Sequence, residues 1–274
     1  MSAPTDSPAA RLRAHAVLAR YGYRRYAVYA KASLIGLGTT VLFGVVRTAV
    51  MHGVYAGPRR IGGYHVAQAV TYVWLVQGLM TVVRVYGDSE LATRVRTGQI
   101  VADLVRPVHL QSAYLAADLG RAWYHLLHRG VPPILVGWAF FGLTGPADPL
   151  TWLAFLTSVG LAVVVSTLFR FLYSLSSFWL LDYRGVALIA VILVNLLSGF
   201  VMPTGFFPGW LRTLAAATPF PSIVQVPVDV FTGHDKGAGT AGALAGQAGW
   251  ALFLLAAGRW LLAVARRRVV VQGG

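Results

Sequence analysis

The chain has 274 residues, of which 57% are hydrophobic and 12% are charged. Soluble globular domains carry roughly 25% charged residues, so this composition excludes a soluble domain and indicates a protein that lies in a membrane. Lys and Arg outnumber Asp and Glu by 23 to 9. The basic residues lie between long apolar runs rather than on one polar face, which is typical of membrane orientation and not of nucleic-acid binding. The chain has no cysteine, which excludes disulfides and cysteine metal sites.

Residues 1–28 are predicted to form a cytoplasmic tail and an amphipathic helix on the membrane surface, because apolar and arginine residues are mixed over 9–29. Residues 29–265 are predicted to form one transmembrane domain, and 266–274 a second cytoplasmic tail. A helix needs about 20 apolar residues to cross the ~30 Å hydrocarbon core of a bilayer. Six segments come close to this length: 29–51, 66–83, 123–143, 150–168, 185–207 and 240–265. The stretch 171–181 either extends the fourth helix or lies at the membrane interface.

The distribution of Lys and Arg predicts the orientation of these spans, since cytoplasmic loops carry more of both. Fourteen of the 23 fall before the first span, between the second and third, just before the fifth, or in the C-terminal tail. The opposite loops hold only four: Arg59, Arg60, Arg212 and Lys236. Both termini are therefore expected on the cytoplasmic side of the membrane.

The sequence has none of the motifs that mark common hydrolases. It contains no GxxxxGK[ST] phosphate loop, no HExxH and no GxSxG, so the chain is not expected to hydrolyse ATP itself. Eight of its nine acidic residues fall in predicted loops, tails or membrane edges, which argues against a transporter driven by a carboxylate relay. His125 and His128 share one helical face but have no third ligand nearby. We expect no catalytic, cofactor or metal site in this chain.

The predicted cytoplasmic connection 87–107 is long for a loop between helices. Asp88 is the predicted helix N-cap, Glu90 suits the positive helix N-terminus, and Gly98 is a helix stop. A second short helix over 99–105 ends before a proline. Short capped helices with apolar and basic faces favour docking to a soluble partner, and the alternative is an ordinary loop between helices.

The predicted outer segment 201–233 is too interrupted to span the membrane and too apolar for a free loop. It contains five of the chain's 13 prolines together with several aromatic residues. It is predicted to form short helices that re-enter the membrane. The functional interpretation is an outer gate on a translocation path, and the alternative is a structural plug. The predicted fold is thus an all-α integral membrane protein with six transmembrane helices, an N-terminal amphipathic helix and a re-entrant outer hairpin before the last helix.

The start of the third span carries polar residues, in particular Asp118, Arg121 and His125. Such residues face a cavity, a partner helix or the membrane interface. Long side chains that reach to the inner interface are the preferred interpretation. The alternative is an inner vestibule that admits substrate.

Four stretches of the sequence resemble the permease subunits of bacterial ABC transporters of the ABC type 2 export class, and particularly the branch described as viologen or drug exporters. These stretches are RTGQIVADLVRP at 96–107, SFWLLDYRG at 177–185, LSGFVMPTGFFP at 197–208 with PFP at 219–221, and RVVVQGG at 268–274. The N-terminal helix and the first two spans match only in character. Gln99 departs from the pattern, in which a glutamate is expected.

The resemblance implies a six-helix permease of a bacterial inner membrane that pairs with a second copy or a paralogous permease and binds a separate ABC ATPase, which holds ATP and Mg. It implies export by alternating access. The few charges within the predicted spans leave an apolar, aromatic path, which favours an amphiphilic or hydrophobic substrate. Membrane lipids are expected partners and nucleic acid is not. The residues implied in coupling to the ATPase are Arg94, Arg96, Gly98, Asp103, Leu104, Arg106 and Pro107. The residues implied in the outer gate are Gly199, Pro203, Phe206, Phe207, Pro208, Pro219, Phe220 and Pro221. The alternatives are a membrane anchor or assembly factor without transport, and a membrane-bound lipid-modifying enzyme.

Overall fold

The computed structural model describes residues 7–28, 30–55, 57, 60–84, 89–105, 108–180, 182–234 and 238–267. These residues are almost entirely helical, and the only pairing of extended backbone among them is an isolated bridge between Ile61 and Tyr64. The α-helices are α1 (Pro8–Ala27), α2 (Ala30–Val54), α3 (Val66–Val82), α4 (Glu90–Arg96), α5 (Ile100–Leu104), α6 (Leu110–His125), α7 (Val131–Phe141), α8 (Pro149–Ser174), α9 (Arg184–Leu197), α10 (Gly209–Ala216), α11 (Gln225–Thr232) and α12 (Ala238–Arg266). Short 3-10 turns lie at Leu175–Phe178, Thr204–Phe206 and Phe220–Ser222, and a π-helical turn at Leu126–Gly130. The all-α prediction is confirmed.

Three helical segments of the described chain are long and apolar enough to cross a membrane: Gly36–Val54, Pro149–Phe178 and Gly239–Arg266. Helices α3 and α9 are apolar but shorter. The predicted first, second, fourth and sixth spans correspond to α2, α3, α8 and α12, whose ends differ from the prediction by a few residues. The stretch after Arg170 extends the fourth helix, since α8 continues to Ser174 and a 3-10 turn follows it. The count of six spans stays a prediction.

The third predicted span begins earlier than expected. Helix α6 begins at Leu110, not at residue 123, and continues through the π-helical turn into α7. The π-helical turn directly precedes Pro132 and Pro133, whose nitrogens cannot donate a helical hydrogen bond. The N–H group of Val131 instead donates to the carbonyl of Leu126, five residues earlier. The chain thereby stays helical through a pair of prolines that looked like an interruption.

The fifth predicted span is shorter than expected, because α9 ends at Leu197 and not at residue 207. Gly199 adopts φ +86°, a left-handed conformation that ends the helix, and a Cβ here would lie 2.5 Å from the Tyr72 hydroxyl. Residues 201–233 then form short helical pieces, as predicted. Their re-entry into a membrane stays a prediction.

Helix α1 packs against α6 through close contact of the two main chains. A Cβ at Gly22 would overlap the carbonyl of Ala117, and a Cβ at Gly120 would overlap the carbonyl of Ala19. Small residues at a helix crossing permit this approach. The predicted N-terminal helix therefore forms, and it covers one face of the bundle rather than standing apart from it.

Buried apolar residues form a large core and a smaller one. The large core packs α3, α8 and α11 together, with Leu75, Leu168 and Val228 almost completely buried. The smaller core packs α4 and α5 against α6, α8 and α12, and consists of Leu91, Ile100, Leu110, Phe171, Leu175 and Leu262. Burial of each such side chain contributes about 1.5–3 kcal/mol, so α4 and α5 are firmly attached. The end of the bundle that contains this smaller core is called the α4–α5 end. The opposite end, around α10 and α11, is called the α11 end.

Candidate functional site

Helices α4 and α5 form most of the predicted coupling region. Ser89 caps α4, because its Oγ accepts a hydrogen bond at 3.2 Å from the backbone N–H three residues later. The predicted cap, Asp88, lies outside the described residues. Glu90 lies in the first turn and two arginines lie in the last, where each charge complements the helix dipole. Gly98 has φ +73° and ends α4, as predicted.

An ion pair between two predicted coupling residues ties α4 to α5. The Arg94 guanidinium donates from Nε and from Nη2 to the two carboxylate oxygens of Asp103, the second at 2.8 Å. Asp103 is buried, and hydrogen bonding to it raises the pKa of Arg94 further above its usual value. Leu104 is half-buried against the smaller core. Arg94, Asp103 and Leu104 therefore stabilise the arrangement of α4 and α5 on the side that faces the bundle.

The other side of the segment faces outward and is named the α4–α5 surface. It consists of Thr93, Arg96, Thr97, Gly98, Gln99, Val101, Ala102 and Val105, all exposed. A Cβ at Gly98 would meet open space. The remaining predicted coupling residues, Arg106 and Pro107, lie outside the described residues. Among the predicted coupling residues that the structure describes, Arg96 and Gly98 are thus the exposed ones that a partner protein can reach.

A cavity of about 730 Å³ lies on the side of α4 that faces the bundle, and most of its lining residues belong to α1, α4, α6 and α8. We call it the charged cavity, and its charged lining residues are Arg25, Arg84, Glu90, Arg94, Asp103, Asp118, Arg121 and Arg170. His125 is buried beside it, with its ring 4.9 Å from that of the lining residue Tyr26. Because Asp118, Arg121 and His125 are all buried, the interpretation that they reach to an exposed interface is wrong.

Asp118 is the centre of an ion-pair cluster on the wall of the charged cavity. Arg121 donates to both carboxylate oxygens, at 2.6 and 3.0 Å, and its other N–H groups donate to two main-chain carbonyls of the last turn of α3, each at 2.8 Å. Arg170 and Thr167 of α8 each donate to Asp118 at 2.6 Å. Removing one partner of a buried ion pair typically costs about 3–5 kcal/mol. The cluster therefore joins α3, α6 and α8.

At the α11 end, the predicted gate residue Gly199 belongs to a buried hydrogen-bond network. The hydroxyl of Tyr72 donates to the carbonyl oxygen of Gly199 at 2.6 Å and lies 2.9 Å from Oε1 of Gln225. The same Oε1 accepts a hydrogen bond from the backbone of Thr204 at 2.9 Å. Gln225 thereby connects α11 to the irregular segment that follows α9.

The other predicted gate residues differ in how deeply they are buried. Pro203 and Phe220 are buried, Phe206, Phe207, Pro219 and Pro221 are half-buried, and Pro208 is exposed. A Cβ at Gly62 would lie 2.5 Å from the ring of Phe206, so the loop between α2 and α3 packs directly on this segment. Among the predicted gate residues, Phe206 thus lies against a loop that the prediction did not include, whereas Phe220 packs against Phe169 of α8, with ring centroids 5.1 Å apart.

Sequence reasoning missed two residues at the centre of this region, Tyr64 and Asp229. Tyr64 is completely buried and its hydroxyl donates to Asp229 Oδ1. Gln225 Nε2 donates to both oxygens of Asp229 at 2.8 Å. Burial and the nearby carboxylate raise the pKa of Tyr64 far above its usual value, so it stays a neutral donor. Together with Tyr72, these residues form what we call the Tyr64 cluster; one acid within an apolar, proline-rich segment was its only signal in the sequence.

Comparison with known proteins places this architecture in a family. No curated protein matches the chain. The family model described as ABC-2 family transporter protein matches residues 45–273, which include the α4–α5 surface, the α6 and α8 walls of the charged cavity and the whole α11 end. The apolar helices agree with a membrane protein, and the family is a membrane component for transport. The chain therefore belongs to the ABC-2 family of transporter proteins, as a multi-pass permease subunit.

Proposed function

We propose that this chain is the permease subunit of an ATP-driven exporter in a bacterial inner membrane, with both termini in the cytoplasm. A separate ABC ATPase binds ATP and Mg, and a second permease, either another copy or a paralogue, completes the path. The chain moves an amphiphilic or hydrophobic substrate out of the cell by alternating access. Family membership supports the membrane component and an ATPase partner.

One observation carries the proposal: the α4–α5 surface and a wall of the charged cavity are two sides of the same segment. Leu91, Arg94 and Asp103 line the cavity, whereas Arg96 and Gly98 face outward. An ATPase that displaces the outer side therefore displaces a cavity wall as well. If the charged cavity is the substrate site, ATP binding therefore acts on that site through a single segment.

Helix α1 extends this connection. Arg25 pairs with Glu90 at 2.6 Å, so α1 is attached to α4 in addition to its contact with α6. Both side chains are about half exposed, and such pairs contribute only about 0–1 kcal/mol. This pair is therefore weak enough to break and re-form as α4 moves. We infer that one side of the cavity opens and closes at the weak contact between α1 and α4.

The Tyr64 cluster is the proposed outer closure. It joins α3, α11 and the loop after α2 by buried hydrogen bonds, which hold the α11 end shut while the charged cavity is open at the other end. When the ATPase binds ATP, we expect these hydrogen bonds to break and the segment around Phe206 and Phe207 to separate from Gly62. Substrate then leaves on the outer side.

Co-purification from the native membrane tests the ATPase partner. We expect the intact chain to recover a protein with a GxxxxGK[ST] loop, and mass spectrometry to show whether one or two kinds of permease are present. We expect an acidic residue of the ATPase opposite the exposed Arg96, so Arg96→Glu should bring like charges together and lower ATPase recovery by at least tenfold. Arg212→Glu makes the same change at the α11 end and should leave recovery unchanged.

Two outcomes would count against the proposal. Full ATPase recovery with Arg96→Glu would show that the partner does not use the α4–α5 surface. Recovery of no ATPase, even after crosslinking in the membrane, would contradict the exporter itself and favour a membrane anchor or assembly factor.

A further inference from the structure

Arg129, in the π-helical turn between α6 and α7, is a half-buried arginine whose charge no described residue balances. Its Nε is buried without a hydrogen-bond partner, and no ion pair or other hydrogen bond joins Arg129 to a described residue. Its two terminal nitrogens, in contrast, are not buried. A charged donor without an acceptor within a membrane protein costs free energy, which a bound anion would relieve.

The guanidinium of Arg129 lies against α2, at the edge of the apolar part of the bundle. A Cβ at Gly36 would be 2.3 Å from Nη2 of Arg129, and Gly36 is the first residue of the apolar segment Gly36–Val54. On the other side, a Cβ at Gly130 would be 3.1 Å from the side chain of Val82, the last residue of α3. This edge belongs to the α4–α5 end, and lipid phosphate groups lie just outside the hydrocarbon core.

Helix α2 has a buried face and an exposed apolar face, and they meet at Gly36. Thr40, Gly44 and Thr48 are buried, and this row begins four residues after Gly36. Thr39, Phe43, Val46 and Val50 are exposed, and this row begins three residues after Gly36. Residues three and four apart lie on one side of a helix. The charge of Arg129 is therefore placed at the start of an exposed apolar strip along α2.

The protein itself is a poor source of the missing negative charge. Asp118 is the acidic residue of α6, but it lies 11 positions earlier, about 16 Å along the helix axis, and two other arginines bind it. A second copy of the chain would bring 23 basic residues and only nine acidic ones. The cytoplasmic leaflet of a membrane, in contrast, is rich in anionic lipids, and basic sites between spanning helices bind their head groups.

We propose that Arg129 binds the phosphate of an acidic phospholipid, whose acyl chain lies along Phe43, Val46 and Val50 of α2. A guanidinium group binds a phosphate through paired, charge-assisted hydrogen bonds. The lipid thereby connects α2 to the π-helical turn, where the protein supplies no polar contact to Arg129. Only the assignment to the cytoplasmic leaflet rests on the proposed function, through the orientation of the chain.

Native mass spectrometry of the intact chain, released from detergent micelles, measures the binding of added lipids. The probes are phosphatidylglycerol, which is acidic, and phosphatidylcholine, which has the same phosphate and acyl chains but no net charge. Phosphatidylglycerol should bind more tightly, and Arg129→Gln should lower its affinity about tenfold. Arg259→Gln removes an exposed positive charge from α12 at the same end and should leave the affinity unchanged.

A second pair of variants keeps the charge of Arg129 and changes only its position. Gly36→Ala places a methyl group where Nη2 lies, and the end of a flexible side chain is all that has to move, so this variant should fold. It should bind phosphatidylglycerol less tightly than the wild type. Gly38→Ala adds the same methyl group to the same helix, where it meets open space, and should bind phosphatidylglycerol normally.

Four results would overturn the inference. They are equal affinity for the two lipids, an unchanged affinity in Arg129→Gln, an equal loss in Arg259→Gln, which would indicate attraction by total charge, and displacement of phosphatidylglycerol by inorganic phosphate, which would indicate a free oxyanion site. A loss of dimers in Arg129→Gln, with lipid binding intact, would assign Arg129 to a contact between copies instead. Specific lipid binding by a chain that never recovers an ATPase would leave the inference standing and contradict the proposed function.

Discussion

Gly22 and Gly120 set the distance between α1 and α6, because a side chain at either position would overlap a main-chain oxygen of the other helix. A main-chain oxygen within a helix cannot rotate aside as a flexible side chain can. Gly120→Val should therefore push α1 away from the bundle, at a cost of about 1–3 kcal/mol. Limited trypsin digestion should then cleave the arginine-rich α1 faster than in the wild type.

The matched control for this substitution is Gly160→Val on α8. Gly160 is exposed and a Cβ there would meet open space, so α1 should stay protected from trypsin. Equal protection of α1 in both variants would mean that the glycine contact does not hold the helix.

Tyr64→Phe removes one donor from the buried carboxylate of Asp229. The expected loss of unfolding free energy is about 1–3 kcal/mol, since a buried acceptor is left less satisfied. The raised pKa of Tyr64 also gives this loss a pH dependence. In the unfolded chain the phenol ionises above about pH 10, so the contribution of Tyr64 is present below that pH and declines above it.

Thermal unfolding in detergent from pH 8 to 11 checks both statements. The wild type should exceed Tyr64→Phe in stability up to about pH 10, and the difference should shrink at higher pH. A difference that stays constant to pH 11 would show that the phenol does not remain neutral in the folded protein.

Helices α4 and α5 act as one element because Arg94 and Asp103 join them. Arg94→Asp places two carboxylates together and should loosen α4 from α5, lowering ATPase recovery. The double variant Arg94→Asp with Asp103→Arg restores an ion pair and should regain part of that recovery. Adding Asp103→Arg should not restore ATPase recovery in the Arg96→Glu variant, because Arg96 lies on the outer α4–α5 surface and does not pair with Asp103. A double variant as defective as Arg94→Asp alone would assign Arg94 a direct contact with the partner.

The helices that the sequence predicted closely are those with a continuous apolar character, such as α3 and α12. The start of α6 was missed because charged residues in a sequence indicate the membrane interface unless their ion-pair partners on other helices are known. Arg170 lies 52 positions from Asp118, and no periodicity connects them. The end of α9 likewise depends on Tyr72, a residue far earlier in the chain.

The site was predictable to the same extent. The coupling segment and the proline-rich segment stood out through local composition, and the structure folds both into short helices. The division of the coupling residues between an inner and an outer face required the packing of α4 on the smaller core. The Tyr64 cluster joins residues 165 positions apart, a contact that composition cannot reveal.

At the scale of the whole molecule, alternating access requires the two ends to respond to ATP in opposite directions. The chain has no native cysteine, so spin labels can be attached to introduced cysteines without background. A label pair at exposed Ala16 and Leu180 reports the α4–α5 end, and a pair at exposed Leu150 and Trp210 reports the α11 end. On ATP binding by the assembled transporter, we expect the first distance to shorten and the second to lengthen in double electron–electron resonance. Changes in the same direction would contradict alternating access.

The charged cavity and the Tyr64 cluster are separated by a dense layer of the large core, in which Leu75, Leu79 and Val165 are almost completely buried. Along α3, the distance from Tyr72 to Val82 is about 15 Å at 1.5 Å per residue. An ion entering this layer would give up its hydration and find little to replace it. We therefore expect ions not to cross this layer of the chain, and liposomes that contain the permease should hold a potassium diffusion potential as long as protein-free liposomes do. Copies of the permease that are not transporting would then not dissipate the membrane potential, on which other transporters in the same membrane depend.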